Sequence, residues 1–297
     1  RNKAERARRA QRAMAAAAIR STRGKVFDAA SAIAWAKSSP LRADLASRRL
    51  GFYNGAFNPP TLAHTHIAME VASRVDCTWI DPEPATVHKR RYMDESLDAR
   101  VRMCESLVSD HRSQAEQRVD LGHSMDEGLQ AALTNAIGVG SLRKDLGRAA
   151  GESAELFRAL RGLIGPAGEL YWALGADVAS GMGSWRDKVE ECTQPGKTCD
   201  GLLVFTREGS DDTQVREALS GLSCTVEIIE MPSHLLRASS QRARRALVRA
   251  AANGHQSDDA CRAVMLGTVS DYCLSQPWLL EMYQAQLRDI GDHTGRT

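Results

Sequence analysis

From about residue 47 onward, the sequence alternates between short β-rich runs and longer helical stretches. Strands separated by helices favour parallel pairing, because each helix returns the chain to the edge of the sheet where the previous strand began. The pattern predicts strands at 49–54, 76–81, 169–175, 201–206 and 226–231, and helices at 61–75, 96–110, 152–164, 212–221 and 239–252. The fold class is therefore α/β, with a doubly wound, mostly parallel sheet and a ligand at the carboxyl ends of its strands.

One internal segment fits this alternation poorly. Residues 112–150 are polar, contain glycine and offer no clear strand beyond 118–121. We interpret them as an insertion in a domain that spans 47–290, with 291–297 as a tail. No internal repeat is evident.

The formal net charge of +2 hides an asymmetry between the two ends of the chain. Residues 1–23 carry eight Arg or Lys side chains and one acid, Glu5, so this segment is +7 and the rest of the chain is −5. Its Arg/Ala-rich composition fits an organellar transit segment, an exposed basic helix or simple compositional bias. Together with the helical pattern of 24–46, it predicts a basic helical N-terminal extension over 1–46.

The same features set expectations for compartment and partners. A slightly acidic body has no general attraction for nucleic acid, so we expect no nucleic-acid partner. The basic extension indicates an organelle, the mitochondrion in preference to the plastid, and otherwise the cytoplasm. The longest near-apolar run, 13–19, is far shorter than the ~20 residues of a membrane span, so no transmembrane segment is predicted.

Several site types are disfavoured by what the sequence lacks. The seven cysteines include no C-x-x-C pair and no zinc-type spacing, which predicts mostly buried thiols in a reducing compartment and no protein-held metal. There is no G-x-x-x-x-G-K-[ST] loop, and the glycines at 138 and 140 do not complete G-x-G-x-x-G. Kinase and dehydrogenase functions therefore lose their main support.

Residues 55–64, with the sequence GAFNPPTLAH, directly follow the first predicted strand and open a helix. Gly55 lets the backbone approach a ligand closely, and the two prolines lead into the first helical turn. Thr61 and His64 are three residues apart, so both project from one face beside free N–H groups and the positive end of the helix dipole. This arrangement predicts a phosphate site.

A second helix start predicts a second anion site. Ser239 or Ser240 is suited to the N-cap, and Arg244 lies four residues after Ser240 on the same helical face. Two helix N-termini could therefore hold a polyphosphate between them. From the residues alone, Arg244 could equally belong to the solvated face of an Arg-rich helix.

These segments resemble the nucleotidyltransferase superfamily with the H-x-G-H or T-x-x-H motif, and within it the nicotinamide/nicotinate mononucleotide adenylyltransferases. Residues 55–64 are similar to its signature in the T-x-x-H form, with Ala63 in place of the common glycine. Five further segments follow in the family's order: His88-Lys89, Arg100–Met103, Gly175-Ala176-Asp177 with Trp185, Gly201–Gly209, and Ser239–Leu247. The resemblance covers about 48–250 apart from the insertion.

The resemblance implies a Rossmann-like nucleotidyltransferase fold and adenylyl transfer from ATP to nicotinamide or nicotinate mononucleotide, giving NAD or deamido-NAD and pyrophosphate. Such a reaction needs no covalent nucleophile, so catalysis is positioning and charge neutralisation, with Mg²⁺ accompanying ATP. The implied partners are these two nucleotides and, for the protein itself, a homo-oligomer or a larger complex.

The resemblance also implies individual roles. The implied catalytic residues are Thr61, His64, Lys89 and Arg244, with His64 at the α-phosphate and the two cations at the β- and γ-phosphates. The implied ATP-binding residues are Gly55, Ala56, Phe57, Asn58, His64, Lys89, Gly175, Asp177, Ser239, Ser240 and Arg244. Trp185 and Asn58 are implied for the pyridine nucleotide, although Trp185 is as compatible with the core, and Asp177 with a strand-end turn.

Two alternatives stay open. One is another adenylyl- or cytidylyltransferase of the superfamily, acting for example on phosphopantetheine, although the G-A-D…W segment favours a pyridine nucleotide. The other is a catalytically silent member that serves as a structural subunit of an organellar assembly. The basic extension, the insertion and the departures at Gln241 and Leu156 favour the silent subunit, while the retained phosphate-binding residues oppose it.

Overall fold

The computed structural model describes residues 48–83, 96–120, 136–142, 153–254 and 258–294. The predicted extension over 1–46 lies outside these residues. The strands are β1 (Arg49–Gly55), β2 (Cys77–Pro82), β3 (Ala136–Val139), β4 (Glu169–Gly175), β5 (Gly201–Phe205) and β6 (Thr225–Ile229).

Helices follow most strands. Within the described ranges they are α1 (Leu62–Ala72), α2 (Leu97–Asp120), α3 (Ser153–Ile164), α4 (Ala176–Gly181), α5 (Arg186–Cys192), α6 (Asp212–Leu219), α7 (Ser240–Ala252), α8 (Asp259–Arg262), α9 (Gly267–Leu274) and α10 (Pro277–Thr294). A 3-10 turn, Met182–Trp185, joins α4 to α5.

The six strands form one sheet in the order β3-β2-β1-β4-β5-β6, and each neighbouring pair is parallel. The chain proceeds outward from β1 to one edge, returns to β4 beside β1 and then proceeds to the other edge. The strand order therefore reverses between β1 and β4, which is where ligands bind in sheets of this kind. The α/β, doubly wound, Rossmann-like prediction is confirmed.

Alternate side chains of the central strands pack on opposite faces of the sheet. Phe52 of β1 and Trp172 of β4 lie in a buried cluster with α3, where Phe52 meets Phe157 edge to face with ring centroids 5.8 Å apart. Tyr53, the next residue of β1, lies on the other face in a cluster with α1 and α2. Apolar cover on both faces explains why these strands read as nearly continuous hydrophobic runs.

A third buried cluster contains helices that the sequence analysis did not predict. α8, α9 and α10 follow the last predicted helix and pack with α7 and with Met103 of α2 around the buried Tyr283. Ala243, Leu247 and Ala250 form the buried face of α7 in this cluster. The C-terminal helices thus fix α7, which carries a predicted anion site.

Part of the segment interpreted as an insertion belongs to the sheet. Residues 136–139 form β3, which pairs with β2, and α2 extends to Asp120. The suggestion of a strand at 118–121 was therefore wrong for the residues that α2 contains. With four residues, β3 is too short to show an alternating pattern.

Other sequence expectations can be compared with the described residues. All seven cysteines are free and buried, as the sequence predicted for most of them. No described helix has both the length and the apolar composition that crossing a bilayer requires.

Gly51 offers a test of how tightly α1 packs on the sheet. A Cβ at Gly51 would collide with Val71 Cγ1 and lie 3.1 Å from Val75 Cγ2, so Gly51→Ala should lower the free energy of unfolding by about 1–3 kcal/mol. At Gly162 of α3 nothing lies within 4 Å of an added Cβ, so Gly162→Ala should raise it by about 0.5–1 kcal/mol. Urea unfolding of both variants checks this, and equal effects would contradict it.

Candidate active site

The loop between β1 and α1, residues 55–61, lies at the carboxyl edge of the sheet and is called here the β1–α1 loop. Three of its carbonyl oxygens accept hydrogen bonds from side chains of distant helices. Arg100 Nη1 donates to the Ala56 oxygen at 2.7 Å, and Arg244 Nη1 donates to the Asn58 oxygen at 2.6 Å. Ser240 Oγ donates to the Pro59 oxygen at 2.8 Å.

His64 lies in the first turn of α1 and is almost fully buried. Its Nδ1 accepts a hydrogen bond from the Thr61 backbone N–H at 3.0 Å and lies 2.8 Å from Thr61 Oγ1. Because a backbone N–H can only donate, the neutral ring carries its proton on Nε2. The ring also packs against Phe57, with centroids 5.1 Å apart.

The electrostatic environment keeps His64 neutral. Burial, together with the smaller effect of the positive charge of Arg207, lowers its pKa to about 3. At neutral pH the imidazole is therefore an uncharged group whose Nε2–H is a hydrogen-bond donor. Such a donor can contact a phosphate oxygen without adding a buried charge.

The N-terminus of α7 lies beside the same loop. Ser239 is the N-cap, and its hydroxyl accepts a hydrogen bond from the Arg242 backbone N–H at 3.3 Å. Ser240 and Arg244 both reach the backbone of residues 58–59, which confirms that they share one face of the helix. Burial lowers the pKa of Arg244, but a guanidinium remains charged at physiological pH.

Two buried polar atoms of this site have no hydrogen-bond partner among the described residues: Asn58 Oδ1 and Arg244 Nε. Buried polar atoms are nearly always paired, and each exception calls for an explanation. Asn58 and Arg244 are in direct contact, and both are predicted nucleotide-binding residues. A bound polar ligand would explain both unpaired atoms.

The ends of β4 and β5 contribute a further pair. Asp177 Oδ1 lies 3.4 Å from Arg207 Nε, and the Asp177 side chain is exposed. A Cβ at Gly175 would collide with Asp177 Oδ1 and lie 3.0 Å from Arg207 Nε, so glycine at this position leaves room for the pair in this arrangement. Sequence reasoning omitted Arg207 from the site, although its position just after a predicted strand, in the R-x-G turn, was an available signal.

The predicted site residues fall into three groups. The first group lies around the β1–α1 loop and contains residues 55–58, Thr61, His64, Ser239, Ser240 and Arg244. The second group lies at the ends of β4 and β5, where Gly175 and Asp177 are close to Arg207. Lys89 lies outside the described residues, as does the side chain of Trp185.

One detail of the sequence prediction needs correction. The prolines at 59 and 60 precede α1 rather than lie in its first turn, because the helix begins at Leu62 with Thr61 as its N-cap. The Leu62 N–H is also not free for a ligand, since it donates to the Val264 oxygen at 2.9 Å. The segment between α8 and α9 thus occupies one of the N–H groups that the sequence analysis expected to be free beside a phosphate.

Comparison with known proteins finds one family match over part of the chain and solved structures of similar fold. Residues 52–198 match the family described as Cytidylyltransferase-like. Nicotinic acid mononucleotide adenylyltransferase from Plasmodium falciparum, complexed with NaAD, superimposes with a TM-score of 0.52 at 16% identity, covering 77% of this chain and 95% of that chain. Its complex with APC gives 0.49 at 15% identity with the same coverage. Comparison with curated protein sequences finds no match.

At these identities the superposition of the NaAD complex concerns the fold alone. It shows that the six-stranded parallel sheet and its flanking helices follow a fold already known from a solved structure. The nucleotidyltransferase fold expected from the sequence is therefore confirmed.

The low pKa of His64 predicts a pH-dependent stability. Between pH 6.5 and about 3 the unfolded chain binds a proton at this residue that the folded chain does not, so lowering the pH favours unfolding. His64→Asn removes this effect, and the wild-type free energy of unfolding should fall more steeply than the variant's, by about 2 kcal/mol between pH 6.5 and 5. Urea unfolding across this range measures it, and parallel curves would contradict it.

Proposed function

We propose that this chain transfers an adenylyl group from ATP to nicotinamide or nicotinate mononucleotide, a proposal that the match of residues 52–198 to the family described as Cytidylyltransferase-like supports. The products are NAD or its deamido form and pyrophosphate. The observation that carries the proposal is the β1–α1 loop, which joins the buried, neutral His64 at the start of α1 to Asn58 and its partner Arg244, whose Oδ1 and Nε are unpaired among the described residues. These groups suit a ligand with many oxygen atoms.

In the proposed reaction, a phosphate oxygen of the mononucleotide attacks the α-phosphorus of ATP. A new oxygen–phosphorus bond forms, the bond between the α-phosphorus and the bridging oxygen to the β-phosphorus breaks, and pyrophosphate leaves with that electron pair. The protein has to align the two phosphates and stabilise charge on the oxygens of the transferring group.

His64 suits the α-phosphate. Its Nε2–H can donate to a non-bridging oxygen, and the two contacts of Nδ1 with Thr61 fix the ring and its tautomer. Thr61 acts through this contact, and its hydroxyl also lies 3.3 Å from the Ala238 oxygen that precedes α7. The proposed role of Thr61 is therefore to orient His64.

The arginines suit the β- and γ-phosphates. Arg244 has one nitrogen on the Asn58 oxygen and an unpaired Nε, so it retains hydrogen-bonding capacity for an anion. Arg207, the missed residue, is close enough to His64 to affect its pKa and is partly exposed. We assign Lys89 to the same phosphates from the sequence motif.

Magnesium belongs to the proposal as part of the substrate. No cluster of three or more His, Cys, Asp or Glu side chains that could hold a metal occurs in the part of the chain that the structure describes. ATP carries Mg²⁺ on its own phosphates, so the ion would enter as the MgATP complex. Asp177 is suited to a water of that ion or to the ribose hydroxyls.

The first test is pyrophosphate release by the purified chain from MgATP, with nicotinamide mononucleotide, nicotinate mononucleotide and phosphopantetheine supplied in separate reactions. We expect turnover with at least one pyridine mononucleotide, and the ratio of the two kcat/KM values identifies the preferred acceptor. Turnover with phosphopantetheine alone would establish another member of the superfamily. A folded chain that binds ATP without turnover would favour the structural subunit.

His64→Ala tests the proposed catalytic centre. Loss of one donor to the transition state should lower kcat by about 10²–10³-fold with little change in the KM for ATP. His66→Ala is the matched control, because His66 lies two residues away on the same helix and is only half-buried. Circular dichroism checks that both variants fold, and a His64→Ala enzyme with wild-type kcat would exclude the mechanism.

A further inference from the structure

We propose that Arg100 is a positioning residue that holds the β1–α1 loop in its nucleotide-binding conformation. The inference rests on the proposed function for its kinetic consequences, but its structural claim concerns the loop itself. Arg100 touches neither His64 nor any reacting atom in the contacts described. It acts through the backbone of residue 56.

Arg100 contacts the loop through a buried, well-defined hydrogen bond. The side chain is fully buried in the first turn of α2, its Nη1 donates to the Ala56 oxygen at 2.7 Å, and its Nε donates to Ser96 Oγ at 3.1 Å. Burial of a guanidinium is costly unless its donors are satisfied, and these two hydrogen bonds satisfy donors on Nη1 and Nε. The loop carbonyl is thus held by a charge-assisted hydrogen bond.

The Ala56 carbonyl is well placed to control the site. It lies between Gly55, which ends β1, and Phe57, whose φ of 44° is in the left-handed region that bulky residues rarely adopt. Phe57 packs on His64, and Asn58 follows with its unpaired Oδ1. Releasing the carbonyl of residue 56 therefore frees the residues on which the proposed phosphate contacts depend.

A second buried arginine provides a matched control. Arg161 of α3 donates to the Gly168 oxygen at 2.5 Å and to the Thr198 oxygen at 3.0 Å, and it forms an ion pair with Asp200. These partners lie just before β4 and β5, at the opposite end of the sheet from the site. Arg161 is therefore a buried, carbonyl-binding arginine with no connection to the β1–α1 loop.

The experiment compares Arg100→Lys and Ser96→Ala with Arg161→Lys in the full chain. Lysine keeps the charge but cannot donate to the Ala56 oxygen and to Ser96 Oγ at the same time as the guanidinium does, and Ser96→Ala removes the second of these hydrogen bonds while retaining the arginine. Thermal unfolding reports the stability of each variant. Hydrogen–deuterium exchange of residues 55–62, isothermal titration with MgATP, and kcat and KM report the loop and the site.

For Arg100→Lys we expect faster exchange across residues 55–62 and a fall in kcat/KM for ATP of about 10²-fold, the scale of a misplacement near 1 Å. Ser96→Ala should show the same changes at smaller size. Arg161→Lys should lose thermal stability while loop exchange, ATP affinity and kcat/KM stay at wild-type values.

Two results would overturn the inference: unchanged loop exchange in Arg100→Lys, or equal losses of kcat/KM in Arg100→Lys and Arg161→Lys. A wild-type chain without turnover would overturn the proposed function instead. In that case loop exchange in the three variants still decides the role of Arg100, because this measurement requires no substrate.

Discussion

The candidate site depends on the backbone of the β1–α1 loop, whose carbonyl oxygens are paired with side chains of distant helices. The carbonyl oxygens of residues 56, 58 and 59 accept hydrogen bonds from Arg100, Arg244 and Ser240. A buried carbonyl left without a donor is costly, so the loop adopts this conformation only when α2 and α7 are both in place. The local motif therefore becomes a site through contacts that are distant in sequence.

That dependence extends to the C-terminal helices. The Leu62 N–H at the start of α1 donates to the Val264 oxygen, and the apolar face of α7 packs with Tyr283 of α10. Val264, α7 and Tyr283 all lie beyond residues 52–198, the part that matches the cytidylyltransferase-like family. The helices after residue 252 are thus needed for the site even though they carry none of its predicted residues.

The sequence was sufficient for features with a local signal. Apolar runs followed by Gly55 or Gly175 located the strand ends, and the T-x-x-H spacing predicted that Thr61 and His64 share a face, which their 2.8 Å contact confirms. It was insufficient for contacts through space. The R-x-G turn at Arg207 and the segment Arg100–Met103 are visible in the sequence, but neither motif shows that Arg207 lies near His64 or that Arg100 donates to a loop carbonyl. The four-residue β3 could not be predicted from the sequence either, because it is recognised as a strand only through its pairing with β2.

The charges of the site follow a gradient of burial. The buried ring of His64 is kept neutral by burial and by Arg207, and so contributes a donor without the cost of a buried cation. The cations Arg207 and Arg244 lie further out, where partial hydration makes their charge tolerable. A polyphosphate bound across them would have its transferring phosphorus near the neutral donor and its leaving end among the cations. The burial pattern alone thus gives the proposed substrate a direction in the site.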